Sequence, residues 1–288
     1  MSFVKGCDLS AMQGADGLPE EVWKKLAADG IKFAVLRLLV GNESWSDIAT
    51  VRKNTERARH YGIALAPYWF PYPLRHLDIK EQVDRFVKLA EGLGCNVGDI
   101  PMMADWEWPP RESKGKDGKL VYDWRDKWKI DAPFIRDQIA IAMQRGRDLT
   151  GIDWMFYSFR YWLKCIEVEK APDLGRYPLV LADYTYAGTW PTGEQIAGLK
   201  VPPPWFEFAM IQFDGDGGLR LPGWLDADFD VIPSEEKFKQ LLDSVGNSRH
   251  EAIDVDITVA HAQASNLLIE DSIEAYRRSR ITEDLEAA

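Results

Sequence analysis

Along the first 242 residues, apolar and polar positions fall into two alternating textures. Short runs rich in β-branched and aromatic residues give way to stretches in which apolar side chains recur every three or four positions. The short runs predict eight strands, at about 3–9, 31–39, 63–70, 100–108, 153–158, 178–184, 207–213 and 226–232. Between the first two, Pro19 opens a helix, Val22, Trp23, Leu26 and Ala27 form its apolar stripe, and Gly30 stops it. The next helix begins near Asp47, runs through Val51, Ala58 and Tyr61, and ends at Gly62. Further helices are predicted at 78–91, 133–149 and 234–242. Strands alternating with helices imply an α/β fold with a parallel sheet or barrel. Because helices between the later strands are short or absent, the barrel is expected to be irregular.

Two segments break the rhythm. Arg111 to Asp131 is rich in Lys, Asp, Gly and Trp, lacks a clean period, and reads as a long surface loop. From Asp243 the texture changes. Ser244 to Ser248 reads as a linker, so the expected division is a barrel domain over 1–242 and an appendage over 243–288. In that tail Ile253, Val255, Ile257 and Val259 alternate with Asp254, Asp256 and Thr258, as in a one-sided strand. Ile269, Ile273 and Tyr276 then form a helical stripe. No internal repeat of 20–50 residues is apparent, which excludes solenoids and propellers.

Composition narrows the function. The net charge of −11 argues against nucleic acid, whose phosphates are bound by clustered Lys and Arg. No apolar run approaches the roughly 20 residues of a membrane helix, and the start, Met1 to Gly6, lacks the apolar segment of a signal peptide. Cys7, Cys95 and Cys165 are widely spaced and expected to be buried thiols. The four histidines have no ligand spacing, so neither a metal nor another cofactor is expected. Twelve Trp exceed what a core of this size requires and suggest stacking on sugar rings.

The most informative stretch is Asp99 to Trp108. Side chains two apart on a strand share a face, so Asp105 and Glu107 point one way and Trp106 and Trp108 the other. Their Cα atoms would lie about 6.6 Å apart. Two carboxylates that close favour keeping one protonated. That suits an acid that protonates a glycosidic oxygen beside an anion that stabilises positive charge. In a parallel barrel, function gathers at the C-terminal ends of strands. Asp8, Arg37, Tyr68, Trp69, Tyr157, Asp183, Tyr184 and Gln212 fall at such ends, and Asp226 and Asp228 lie on the eighth strand.

In this order the motifs resemble the glycoside hydrolase family 25 lysozymes, N-acetylmuramidases frequent among phage lysins. The opening Gly6-Cys7-Asp8-Leu9-Ser10 is similar to the family's Gly-x-Asp-x-Ser start, and Gln13-Gly14 to its Gln-Gly. Phe33 to Arg37 resembles its second strand, Tyr68-Trp69-Phe70 its Tyr-His-Phe strand, and Asp105-Trp106-Glu107 its Asp-x-Glu core. Phe156-Tyr157-Ser158, Leu181 to Tyr184 and Met210 to Phe213 follow in order, and Asp228-Phe229-Asp230 is similar to the closing Asp-Leu-Asn. The departures are Trp69 for His, Asp230 for Asn, a Leu-Val-Leu run at 179–181 without the usual Trp, and the insertion after Trp108.

The resemblance implies a flattened β/α barrel that cleaves the β-1,4 bond between N-acetylmuramic acid and N-acetylglucosamine in peptidoglycan. Glu107 would be the general acid and Asp105 the partner anion, with Asp8 and Asp228, or Asp226 in the place of Asp228, completing the acidic cluster. Arg37, Tyr68, Trp69, Tyr157, Asp183, Tyr184 and Gln212 would contact the glycan. Retention of configuration could use a carboxylate nucleophile or the substrate's own acetamido oxygen, and the second is favoured. The protein would be made in a host cytoplasm and act at the bacterial wall, as a free phage lysin or a virion-associated lysozyme. Residues 250–280 would then mediate self-association or contact with a phage structural protein, or, as an equal alternative, pack back on the barrel. The alternative is a catalytically silent, glycan-binding or structural protein on the same barrel.

Overall fold

The computed structural model describes residues 3–10, 17–42, 48–94, 99–108, 111–114, 120–123, 131–215 and 227–247. They belong to the compact unit Met1–Ser248. The patterned part of the tail, with its predicted strand and helix, lies outside the described residues.

All eight predicted strands form, as β1 (Val4–Leu9), β2 (Ile31–Val40), β3 (Ala64–Phe70), β4 (Met103–Asp105), β7 (Met155–Phe159), β8 (Leu179–Ala182), β9 (Met210–Asp214) and β10 (Asp228–Ile232). They close a barrel in the order β1-β10-β9-β8-β7-β4-β3-β2. Neighbours are parallel except at one strand: β10 runs antiparallel to both β1 and β9. The expected irregular, mostly parallel barrel therefore forms, with β10 as its one reversed strand. The predicted loop after Trp108 is corrected. Within it β5 (Arg111–Lys114) and β6 (Leu120–Asp123) pair into a separate antiparallel sheet, which a search for apolar period could not find because each strand is only 4 residues long.

Helices cover the barrel: α1 (Glu20–Ala28), α2 (Ile48–His60), α3 (Ile79–Gly92), α4 (Ala132–Thr150), α5 (Arg160–Cys165), α6 (Gly193–Ala197) and α7 (Glu235–Asn247). The stop signals at Gly30 and Gly62 hold because both adopt left-handed backbone, at φ +85° and +70°. Asp78 caps α3 by accepting a hydrogen bond from the Lys80 N–H at 2.8 Å. Its apolar stripe then buries Ile79, Val83, Phe86, Val87 and Ala90. As expected, the later connections are thin, with α5 and α6 only 6 and 5 residues long. The last helix runs beyond the predicted 242, since Ser244 to Asn247 continue α7 and Val245 is buried.

Strand alternation splits the core in two. Val4, Phe33, Val35, Ala66, Met103, Met155, Val180, Met210 and Ile232 pack together and form the barrel floor, and α7 adds Leu241 and Phe238 to them. The opposite faces of the strands pack against the helices, in one cluster with Trp69, Phe86, Trp106, Trp154 and Phe156 and another with Trp23, Leu36, Ile211 and Phe229. Each fully buried Phe or Ile there contributes about 1.5–3 kcal/mol. Trp23, Trp69, Trp106, Trp154, Trp162 and Trp205 are all core residues, so much of the Trp content is structural, contrary to the compositional expectation. Cys7 is buried as expected, Cys165 is half-buried, and Cys95 lies outside the described residues.

Candidate active site

Above the apolar floor the inward-facing positions turn polar. Asp8 near the end of β1, Arg37 of β2, Tyr68 of β3, Asp105 at the end of β4, Tyr157 of β7 and Gln212 of β9 all belong to the inward-facing set. Lateral register brings them together: Arg37 pairs with Tyr68, Asp105 with Tyr157, and Asp8 with Asp228. The last pair depends on the reversed strand. In a parallel β10 the first residue would start at the floor; running antiparallel, it starts at the mouth, opposite Asp8. Asp228 is thus the member of its strand that faces Asp8, and Asp226 lies outside the described residues.

Hydrogen bonds fix the far wall. The Tyr157 and Tyr184 hydroxyls both donate to Gln212 Oε1, each at 2.7 Å, and Gln212 Nε2 donates to Asp8 Oδ2 at 3.2 Å. Two phenols and a carboxylate thereby lock one buried amide. Glu107 lies two residues beyond Asp105, just past the end of β4. Its segment is held to β7 by the Trp106 N–H donating to the Tyr157 carbonyl at 2.9 Å and by Ser158 Oγ donating to the Trp106 carbonyl at 2.8 Å. Trp106 is buried on the other face and Trp108 is partly buried there, as alternation requires.

Electrostatics follow from burial. Asp8 and Asp105 are each only 9% exposed. Burial raises the Asp105 carboxyl well above its usual range, the negative charge of Glu107 raises it further, and Arg37 opposes both. Asp8 is raised chiefly by burial, with its carboxyl neighbours adding to the rise and Arg37 again opposing it. Burial carries Glu107 up to about 7, with Asp228 adding to the rise and a hydrogen bond with Tyr157 opposing it. A carboxyl poised there can hold a proton at neutral pH and release it in a reaction.

Not every predicted contact residue reaches the mouth. Trp69 is fully buried between barrel and helices, its indole N–H donating to the Gly41 carbonyl at 3.2 Å and its ring 6.0 Å from that of Trp106. It cannot stack on a sugar. Adjacent strand residues face opposite sides, so Tyr68 inward puts Trp69 outward. Tyr68 is itself nearly buried among the carboxylates. Asp183 is committed elsewhere: Oδ2 accepts from Arg160 at 2.9 Å, and Oδ1 accepts from the Thr185 hydroxyl at 2.6 Å and backbone N–H at 3.2 Å. Burial pushes its carboxyl up, but these hydrogen bonds outweigh it and hold it below the usual range. Its work is to anchor the turn that presents Tyr184, which is 49% exposed.

One residue was missed. Asp230 is 1% exposed and shares the inward face with Asp228. The signal was available in the Asp-x-Asp spacing, the same argument that pairs Asp105 with Glu107.

Known proteins place this arrangement. Residues 7–215 match the model of the glycosyl hydrolases family 25. A bacterial lysozyme from Streptomyces coelicolor shares the fold at a TM-score of 0.60 and 20% identity, over 86% of this chain and 99% of that one. A muramidase from Trichobolus zukalii does so at 0.59 and 20%, over 84% and 99%. The catalytic domain of endolysin ply40 from bacteriophage P40 of Listeria monocytogenes follows at 0.57 and 13%, over 84% and 98%. No curated protein matches. A closed barrel whose mouth gathers Asp8, Asp105, Glu107 and Asp228, with a family match over most of that barrel, leads to one assignment: the chain belongs to glycosyl hydrolases family 25.

Proposed function

We propose that this protein is a muramidase, hydrolysing the β-1,4 bond between N-acetylmuramic acid and N-acetylglucosamine in bacterial peptidoglycan. The observation that carries the reading is the neighbourhood of Glu107, a carboxyl raised by burial to about 7 at the barrel mouth, and Asp105, a buried carboxyl beside it with Arg37 in electrostatic reach. Structural relatives described as lysozyme, muramidase and endolysin support the substrate class. Glu107 gives its proton to the glycosidic oxygen as the bond to the anomeric carbon breaks, and the leaving sugar departs as an alcohol. The positive charge left on the ring is met by the substrate's acetamido oxygen, which Asp105 orients and supports electrostatically. Glu107, now a carboxylate, takes a proton from the water that opens this intermediate, which restores the acid and retains configuration. Asp8 and Asp228 complete the negative field, and Tyr184 offers a ring face to the glycan.

The phage endolysin neighbour supports a role as a phage lysin or virion-associated lysozyme acting at the cell wall. Incubation with purified peptidoglycan and mass spectrometry of the released ends tests the reaction. New reducing muramic acid ends are expected; reducing glucosamine ends would make it a glucosaminidase, and no products a silent binder.

A further inference from the structure

Asp230 sits one inward-facing step deeper in the barrel than Asp228, between the apolar floor and the polar mouth. Its Cα partners are Gly6 on β1 and Gln212 on β9. Gly6 supplies no side chain to meet it, and the space beside that glycine is closed by the Phe33 ring, 2.1 Å from where a Cβ would stand. Asp230 is 1% exposed, and among the described residues its Oδ2 has no hydrogen-bond partner. The titratable and charged groups around it are Asp8 and Cys7 on β1, Asp228 on its own strand, Tyr184 after β8, and, across the barrel, Arg37 and Asp105. A carboxylate oxygen is only an acceptor and would leave a charge in an apolar layer beneath other carboxyls. A protonated oxygen is a donor, and the register sets two acceptor carboxyls, Asp8 and Asp228, one inward-facing step nearer the mouth.

We infer that Asp230 is a positioning residue of this site: a neutral carboxylic acid that donates its hydrogen bond upward to the Asp8–Asp228 pair and so helps that pair carry negative charge at the mouth. Burial and the charge of Asp228 both push its carboxyl up, consistent with this state. The inference rests on the hydrolase reading for its catalytic consequence, though not for its protonation.

The test pairs Asp230→Ala with Asp230→Asn and reads the pH dependence of peptidoglycan hydrolysis. Removing a neutral donor makes the pair harder to ionise, so with Ala the acid limb should move up by about one pH unit, and with Asn, whose amide still donates, it should return close to its wild-type position. A downward shift with both variants would mean that Asp230 is an anion, and no shift with either that it only packs; both overturn the inference. Carboxyl-carbon NMR of the wild-type protein, with the resonance assigned through the backbone, needs no variant and no activity. A protonated shift for Asp230 at about pH 6 is expected and an ionised one refutes it. If hydrolysis is absent altogether, that spectrum still decides the protonation, and the proposed function fails separately.

Discussion

At the scale of single residues, the site is a set of carboxyls whose ionisation is fixed by where alternation places them. Glu107→Gln keeps the shape but has no proton to deliver, and hydrolysis should fall by about a hundredfold or more with the fold retained. Wild-type kcat/KM should decline as pH rises through about 7, where Glu107 loses its proton. Stability gives an independent check of sign. A carboxyl raised in the folded state favours folding below its unfolded pKa, and that advantage is lost as pH rises through the folded value. The melting temperature of Glu107→Gln should therefore gain on wild type between about pH 4 and pH 7, and a constant difference would refute the raised value. Trp69 and Tyr184 separate by the same logic of faces. Trp69→Ala should cost about 3–5 kcal/mol of stability in denaturant unfolding, whereas Tyr184→Ala should raise KM for glycan with little change in stability. The sequence disclosed Asp105 and Glu107 through period-two spacing, yet that rule, applied to neighbours, should have withdrawn Trp69 and added Asp230. The commitment of Asp183 to Arg160 was not legible, because it depends on the pairing of β7 with β8, which sets Phe159 beside Ala182 and so brings the next residues together.

Among the elements, strands and long helices were legible because each carries its own period and its own punctuation, such as Pro19 before α1 and Asp78 before α3. What escaped were elements defined by partners. The β5–β6 sheet pairs a polar four-residue strand with a short apolar one, too brief for either to show a period, and the direction of β10 is a property of its neighbours. The end of α7 escaped for a third reason: Ser244, Gly246 and Asn247 read as breakers, while burial of Val245 carries the helix through them. This has a measurable consequence. A chain truncated after Leu242 removes part of a packed helix and should melt several degrees lower than one truncated after Ser248, since a loss of about 1 kcal/mol moves Tm by roughly 2–4 °C in a domain of this size. Equal melting temperatures would show that the last turn of α7 adds nothing.

On the scale of the whole molecule, charge is distributed unevenly. Residues 243–288 hold ten acidic and four basic side chains, which suits an anionic wall poorly. Light scattering of the full chain against one ending at Ser248 tests the assembly role: an oligomer lost on truncation supports it, a monomer in both cases removes it. The barrel's closure also governs how it yields to force. The first and last strands meet in an antiparallel ladder running from Val4↔Ile232 at the floor to Asp8↔Asp228 at the mouth. Pulling on residue 3 and residue 247 loads that ladder from the floor end, so its bonds are peeled singly and not sheared together. Once α7 has detached, the seam should open at low force in an optical trap, before the parallel strands separate. The rung carrying the two facing carboxyls would be the last of the five to part.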